Sequence, residues 1–448
     1  MSGPPRSDLL GLAERLVNLG RSSGADEVEV GIGDGYEFSV DVRMGAIENL
    51  VEAGSKFVGI KVIKDKKTAF ATSSDFSDEM LRALIKNAVK RAELSSRDEF
   101  SGLPALSSTG VDARTLSLFD PEVVELDSQT KVRLALETER IALADRRISN
   151  SHGASFTTSE VKSVLAASNG FLGEYEKTYC SLSVGLQAGE TDSLVEDFWF
   201  SSQTHFKDLE TPDEIARTAV KRTVRQLGPR KIKTQKVPVV FDPLMTSGLL
   251  GFLFACISGV AVYQKATFLL DKLGERIGND TMTVIDDGLL PGKLGSSPFD
   301  SEGVPTRKTV VVDGGVLKNY LCNTYAARKL KLQSTGNADG NSVSPNNFYM
   351  APGAHTPDEI IRSCDRGLLL IRTLGHGLNP VTGDISRGAF GLWIENGEIA
   401  YPVSEITISG NLGRLLNDVE MVGNDLEFRG SICGPTIKVA EMTVAGSD

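Results

Sequence analysis

A chain of 448 residues, with 48 Lys plus Arg against 59 Asp plus Glu and a net charge of −11, has the length for more than one hydrophobic core. A charge of that sign repels phosphate backbones and anionic lipid, so nucleic acid and membrane surfaces are not expected partners. Five cysteines (Cys180, Cys256, Cys322, Cys364, Cys433) without CxxC spacing exclude a disulfide framework and fit a reducing compartment.

In chain order, Ser7 or Asp8 is placed to cap a helix whose apolar face is Leu9, Leu12, Ala13, Leu16, Val17 and Leu19, with Gly20 ending it. Nothing ahead of it has the basic and apolar regions of a secretory signal, so a cytoplasmic location is expected. Residues 27–32, 36–42 and 57–63 alternate apolar with polar residues, as half-buried antiparallel strands do, and 67–72 adds another strand. A helix follows from Ser77 to Ala92, acidic in its first turn and basic in its last. The order then returns. A helix near 127–146, with the stripe Val132, Leu136, Ile141 and Leu143, leads to strand-like runs at 154–158, 162–168 and 178–185 and to a helix capped by Thr211. Asp78-Glu79 and Ala88-Val-Lys-Arg91 match Asp213-Glu214 and Ala219-Val-Lys-Arg222. This predicts an internal duplication of about 1–110 and 120–228 within an N-terminal α+β domain, 1–228.

The basic, turn-prone run 228–236 marks a boundary before a second domain, 237–448. There a strand at 237–241 feeds the apolar stretch 244–262, in which Leu249, Phe252, Leu253, Cys256, Ile257 and Val260 recur at helical spacing and Ala255, Ala261 and Val262 fill much of the remaining circumference. A helix of that kind is expected to be buried all round. Its length nears that of a membrane span, but Thr246, Ser247, Ser258 and three glycines, without flanking aromatic or basic clusters, argue for the core of a soluble domain. Hairpins are expected at Asp313-Gly314 and Asn396-Gly397, a capped helix at Thr356, and final strands near 405–409 and 436–440. The fold class is α+β: duplicated antiparallel sheet and helix units, then a strand-rich domain around a central buried helix. Gly-rich loops at 286–292 and 334–340 lack the Walker and dinucleotide spacings.

The four histidines, His152, His205, His355 and His376, share no helical segment, so a zinc-peptidase helix cannot be assembled. The blocks Ala266-Thr-Phe-Leu-Leu-Asp-Lys-Leu-Gly-Glu, Phe299-Asp-Ser-Glu-Gly-Val-Pro-Thr-Arg, Ser334-Thr-Gly-Asn-Ala, Gly375-His-Gly-Leu-Asn-Pro-Val-Thr-Gly-Asp-Ile-Ser, Glu405-Ile-Thr-Ile-Ser-Gly-Asn-Leu and Val422-Gly-Asn-Asp-Leu resemble the TldD/PmbA family, in its PmbA (TldE) branch, which also carries the older label of modulator of DNA gyrase. The resemblance implies a metallopeptidase complex in which a TldD-type chain holds the metal on a His-Glu-x-x-x-His helix and a PmbA-type chain does not. Phe254, Ala255, Cys256, Ile257 and Ser258 then stand where metal ligands are expected, so no metal, no cofactor and no catalytic residue are expected. Expected partners are a TldD-like metal-bearing paralogue, or a second copy when alone, and a peptide substrate. Glu302, Arg307, His376, Asn379, Asp384 and Asn424 are candidates for a peptide cleft. Two rivals remain: a homodimeric peptide-binding or regulatory protein, and a hydrolase using Cys433 or His376. A triad of His376, Asp384 and Ser386 can be drawn, although three residues of one loop rarely meet in that geometry. Cys433 is expected as a small buried apolar residue.

Overall fold

The computed structural model describes residues 8–105, 110–190 and 194–446. In the N-terminal part, α1 (Leu9–Ser22), β1 (Glu27–Arg43), β2 (Ala46–Lys64), β3 (Lys67–Ser73) and α2 (Asp78–Leu94) are followed, after the single turn α3 (Pro121–Glu125), by α4 (Ser128–Leu143), β4 (Ile148–Ala167), β5 (Leu172–Ala188), β6 (Val195–Gln203) and α5 (Pro212–Val224). Helix, three strands, helix thus occurs twice. The two sets join through antiparallel pairing of β1 with β4, giving one antiparallel sheet in the order β3-β2-β1-β4-β5-β6. Helices α1 and α2 bury Leu9, Leu16, Leu81 and Ile85 against Val30, Ile60 and Val62, while α4 and α5 bury Ala135 and Ile215 with Phe38, Phe156 and Leu182.

Several expectations shift here for physical reasons. The runs 27–32 and 36–42 are one strand: Gly33, which reads as a break, stays paired with Phe57, whose ring lies where a Cβ would sit, 2.2 Å away. The first half of β2 is exposed residue after residue, so it carries no alternating pattern to read. On α4 the stripe Val132, Leu136, Ile141 and Leu143 is only partly buried, and Lys131, Ala135, Thr138, Glu139 and Ala142 face inward. Glu139 is buried because its carboxylate accepts the N–H groups of Met44 (2.9 Å) and Gly45 (2.8 Å), which hold the left-handed turn between β1 and β2. Asp8 precedes α1 without a capping side-chain bond, and Ser7 lies outside the described residues. Thr211 caps α5 by a reciprocal bond with Glu214, as the sequence predicts.

The C-terminal part contains β7 (Gln235–Phe241), α6 (Pro243–Ile257), α7 (Gly259–Tyr263), β8 (Val284–Asp287), β9 (Lys308–Asp313), β10 (Val316–Leu317), α8 (Thr324–Leu330), β11 (Ala338–Asp339), β12 (Ser342–Val343), β13 (Phe348–Met350), α9 (Pro357–Arg362), β14 (Arg366–Leu374), β15 (Asp384–Glu395), β16 (Glu398–Asn411), α10 (Leu412–Asn417), β17 (Val419–Val422), β18 (Ile432–Cys433) and β19 (Ile437–Ala445). One sheet runs β16-β15-β14-β7-β19-β17 and a second β10-β9-β8-β13-β18, and α6 lies in the core that they share. Asn396 and Gly397 take the positive φ values of a tight hairpin. In the other hairpin the turn falls on Gly314-Gly315, one residue beyond the expected Asp313-Gly314, because Asp313 is paired with Val316.

The face of the N-terminal sheet away from its helices is covered in part by the C-terminal part. Phe299 packs edge-on against Phe171 (4.9 Å between centroids) and Tyr175 (5.3 Å). Arg328 donates to the carbonyls of Phe100, Gly102 and Leu103 at 3.0, 2.7 and 2.6 Å. Among the described residues no helix is long and apolar enough to cross a membrane.

Candidate functional site

The apolar stretch 244–262 is two helices, not one. Asp242 caps α6 by accepting from Met245 N (3.0 Å), Pro243 occupies its first turn, and Arg222 of α5 approaches the same carboxylate at 3.3 Å. The helix stops at Ser258, whose ψ of 126° leaves the helical region, and Gly259 N donates outward to Leu321 O at 2.7 Å. A side chain at Gly259 would put Cβ 2.5 Å from Cys322 Sγ, so a glycine is needed at this crossing. Nor is α6 buried all round. Thr246, Leu249, Leu250, Leu253, Cys256 and Ile257 face the core, whereas Gly248, Gly251 and Phe252 are half-buried and Ala255 is exposed.

The positions 254–258 therefore divide among different surroundings. The Phe254 ring meets Phe348 edge-on at 5.6 Å, Ala255 is open, Cys256 and Ile257 are fully buried, and Ser258 is the break. None of Phe254, Ala255, Ile257 and Ser258 is an imidazole or carboxylate, and burial pushes the Cys256 thiol up to about 11. Cys433, on the strand beside α6, is buried with its thiol directed at Gly430 O (3.3 Å) and likewise pushed up by burial. Among the described residues no three His, Cys, Asp or Glu side chains converge as metal ligands would. These residues do not fit a catalytic zinc, which needs about three protein donors of that kind around one point.

The loop 375–383 lies against the end of this helix. Phe268 N donates to Pro380 O at 2.9 Å, and the Cys256 thiol faces the same carbonyl at 4.0 Å. Asn379 shapes the loop, its side chain accepting from Val381 N at 3.0 Å and its N–H donating to Asp384 O at 2.8 Å. The Asp384 carboxylate accepts from Thr382 Oγ1 (2.7 Å) and Asn411 Nδ2 (3.0 Å), and these bonds hold it below the usual carboxylate range. Among the described residues no hydrogen bond joins His376, which is exposed, to this carboxylate or to Ser386, so the triad drawn from sequence is not assembled. His376 and Asn379 thus share one loop, and Asp384 opens β15 at its end. Glu302 and Arg307 lie elsewhere: Glu302 is buried, accepting from Thr324 N (2.9 Å) with Lys61 Nζ at 3.8 Å, and Arg307 is exposed and donates to Ser334 O. Asn424 is exposed on a third segment, held by its N–H to His355 O (2.8 Å).

A cavity of about 640 Å³ opens between the N-terminal sheet and the C-terminal part, lined by Lys177, Asp300, Asn337 and Asn346 among others. Burial brings the Lys177 ammonium down to about 8 and, with Glu302, lifts Asp300 to about 7. Both groups are already engaged: Lys177 donates to the carbonyls of Leu294 and Ser296, and Asp300 accepts from the N–H groups of Glu302, Val304 and Ala338. Sequence reasoning missed Glu29, Lys61 and Lys177, because in an alternating strand a charged residue reads as facing solvent, and here that face is covered by a second domain.

A helix, three-strand, helix set that occurs twice, a two-sheet domain built around an apolar helix, and a glycine-rich loop against the end of that helix make up a scaffold that matches known metallopeptidase domains along most of its length. The chain belongs to the PmbA/TldA metallopeptidase family: its domain 1 matches residues 28–92, its central domain 121–227 and its C-terminal domain 234–446. Metalloprotease PmbA of Escherichia coli O157:H7 is 37% identical over 428 residues, covering 95% of this chain and 93% of that one. The Metalloprotease PmbA homolog of Haemophilus influenzae is 35% identical, over 96% and 94% of the two chains. A candidate DNA gyrase modulator from Thermotoga maritima superposes with a TM-score of 0.90 at 27% identity, covering 98% of this chain and 100% of that one. TldE from Thermococcus kodakarensis, at 24% identity, 0.88, and 97% and 99% coverage, shares the fold.

Proposed function

We propose that this chain is the metal-free, non-catalytic subunit of a cytoplasmic two-chain peptidase, and that it holds an unfolded peptide for a metal-bearing relative of the same family to cleave. The observation that carries this reading is the chemistry of α6. In a metallopeptidase family, its positions 254–258 offer two apolar side chains, an alanine, a raised thiol and a serine at a helix break. The loop of His376 and Asn379 beside this helix, with Asp384 at its end, is the part of the predicted cleft that adjoins it, and Glu302, Arg307 and Asn424 hold other segments. Five free, buried cysteines suit a reducing compartment.

Two measurements test it. The purified chain should contain no stoichiometric zinc and cleave no peptide, and it should co-purify with a relative carrying His-Glu-x-x-x-His and then support cleavage. One tight zinc per chain with chelator-sensitive proteolysis would overturn the proposal. A homodimer indifferent to such a relative would favour a self-contained peptide-binding protein, and turnover by the lone chain that is lost in Cys433→Ala or His376→Ala would establish a hydrolase.

A further inference from the structure

A slot of about 40 Å³ lies between α6 and the strands β15 and β16, walled by Met245, Gly248, Phe252, Ile385 and Ile408, with one charged residue, Arg387, at its side. Among the described residues the other partly buried arginines are paired, Arg328 with three carbonyls and the rest with acids: Arg222 has Asp242 at 3.3 Å, Arg372 has Glu196 at 3.0 Å and Arg429 has Glu210 at 2.5 Å. Arg387 has none. Among the described residues its buried Nε has no acceptor, and burial lowers its proton affinity with no acidic neighbour to offset the effect. A guanidinium stays charged, so its donors are costly to leave unmet where water is partly excluded.

Its position is nonetheless fixed. The guanidinium lies over the Phe252 ring at 5.5 Å, and its stem is pressed by Gly377, where a Cβ would stand 2.3 Å from Arg387 Cγ. Gly377 has a φ of +66° and is tied to the strand by Ser386 N to Gly377 O at 2.9 Å, so the glycine loop itself holds the arginine against the slot. A planar, unpaired donor fork beside a small apolar hollow matches a carboxylate carried on a short apolar group.

We propose that this slot binds the C-terminal end of a peptide, with Arg387 pairing with the terminal carboxylate and the hollow taking a small apolar last side chain. This rests on the peptide-holding role proposed above and gives it a polarity. Gly248, Phe252 and Ala255 fall on one face of α6 at helical spacing, and Gly248 to Ala255 spans about 10 Å. A peptide anchored by its last residue in the slot would cover that distance with roughly three extended residues, bringing a bond near the end of the chain to the open face at Ala255.

The test uses the full chain and three fluorescein-labelled Ser/Gly peptides ending in alanine, whose methyl group suits a hollow of about 40 Å³, read by fluorescence polarisation: the free acid, the C-terminal amide, and the amide with an internal glutamate. The free acid should bind about tenfold or more tighter than either amide. Arg387→Met should remove that preference. Gly248→Ala should weaken it from the opposite wall, since no atom lies within 4 Å of a Cβ there and the methyl group would take up part of the hollow. Equal binding of acid and amide, a preference that survives both substitutions, or an internal glutamate that replaces the terminus would each overturn the proposal. Failure of all three peptides to bind would overturn it too, while the metal content and co-purification that test the subunit role would stand as separate results.

Discussion

Replacing Glu29 by glutamine should stabilise this protein in mild alkali and not in acid. The Glu29 side chain is 12% exposed, its Oε2 has no hydrogen-bond partner among the described residues, and Lys61 Nζ lies 3.9 Å away while also serving Glu302 at 3.8 Å. Burial is the largest influence and lifts the carboxyl from 4.5 to about 7; Lys61 pulls it down and Glu302 pushes it up. The folded protein therefore keeps a proton that the unfolded chain releases near 4.5. Stability from this group is complete below that pH, falls as pH rises, and is lost above about 7. At about 1.36 kcal/mol per pH unit the loss approaches about 3 kcal/mol at pH 8. Glutamine has the same shape and no charge to desolvate, so wild type and variant should melt nearly together at pH 5, with the variant roughly 3 °C higher at pH 8 for a chain of 448 residues. Asp300 titrates in the same range but is present in both proteins, so comparison at each pH removes it. A Glu29→Gln protein that melts at or below wild type at pH 8 would refute the argument, because Lys61 would then be holding a carboxylate.

Asp242 should be costly to remove: Asp242→Ala deletes both the cap of α6 and a buried partner of Arg222, a loss of about 3–5 kcal/mol in chemical unfolding. Asp242→Asn keeps a capping acceptor and should recover about 1 kcal/mol of it. Gly259→Ala drives a methyl group to 2.5 Å from Cys322 Sγ and should cost about 1–3 kcal/mol, with less than additive loss when combined with Cys322→Ala.

Much of the architecture is legible in the sequence where local chemistry and burial agree. Thr211 and Thr356 announce capped helices, and Asn396-Gly397 announces its hairpin, because each signal is contained within a few residues. Legibility ends where the environment is set by distant chain. Residues 46–56 form a strand without alternation because no second layer covers them. Glu29 and Lys61 alternate as solvent-facing residues do, yet Phe299, Asp300 and Glu302 arrive from more than two hundred positions away to bury that face. The site divides in the same way. The loop of His376 and Asn379, with Asp384 at its end, is visible as a glycine-rich motif, whereas Arg387, next to that motif, gave no sign, since only the packed structure shows that an arginine has no acid beside it.

The helix α6 shows what apolar composition does and does not decide. Complete burial was the expectation from its sequence, and on that expectation any imidazole or carboxylate at 254–258 would be penalised by desolvation. The structure splits those positions, and the split is measurable by glutamate substitution. Ala255→Glu places a carboxylate on the exposed face and should change stability by less than about 0.5 kcal/mol. Ile257→Glu, two residues or about half a turn further on, places the same group where the native side chain is 0% exposed, and should cost several kcal/mol or prevent folding. Equal damage from both, read by thermal melting, would mean that a further layer covers Ala255. With the expected difference, burial would not be what keeps an imidazole or carboxylate from Ala255, because such a side chain could stand there at little cost to the fold.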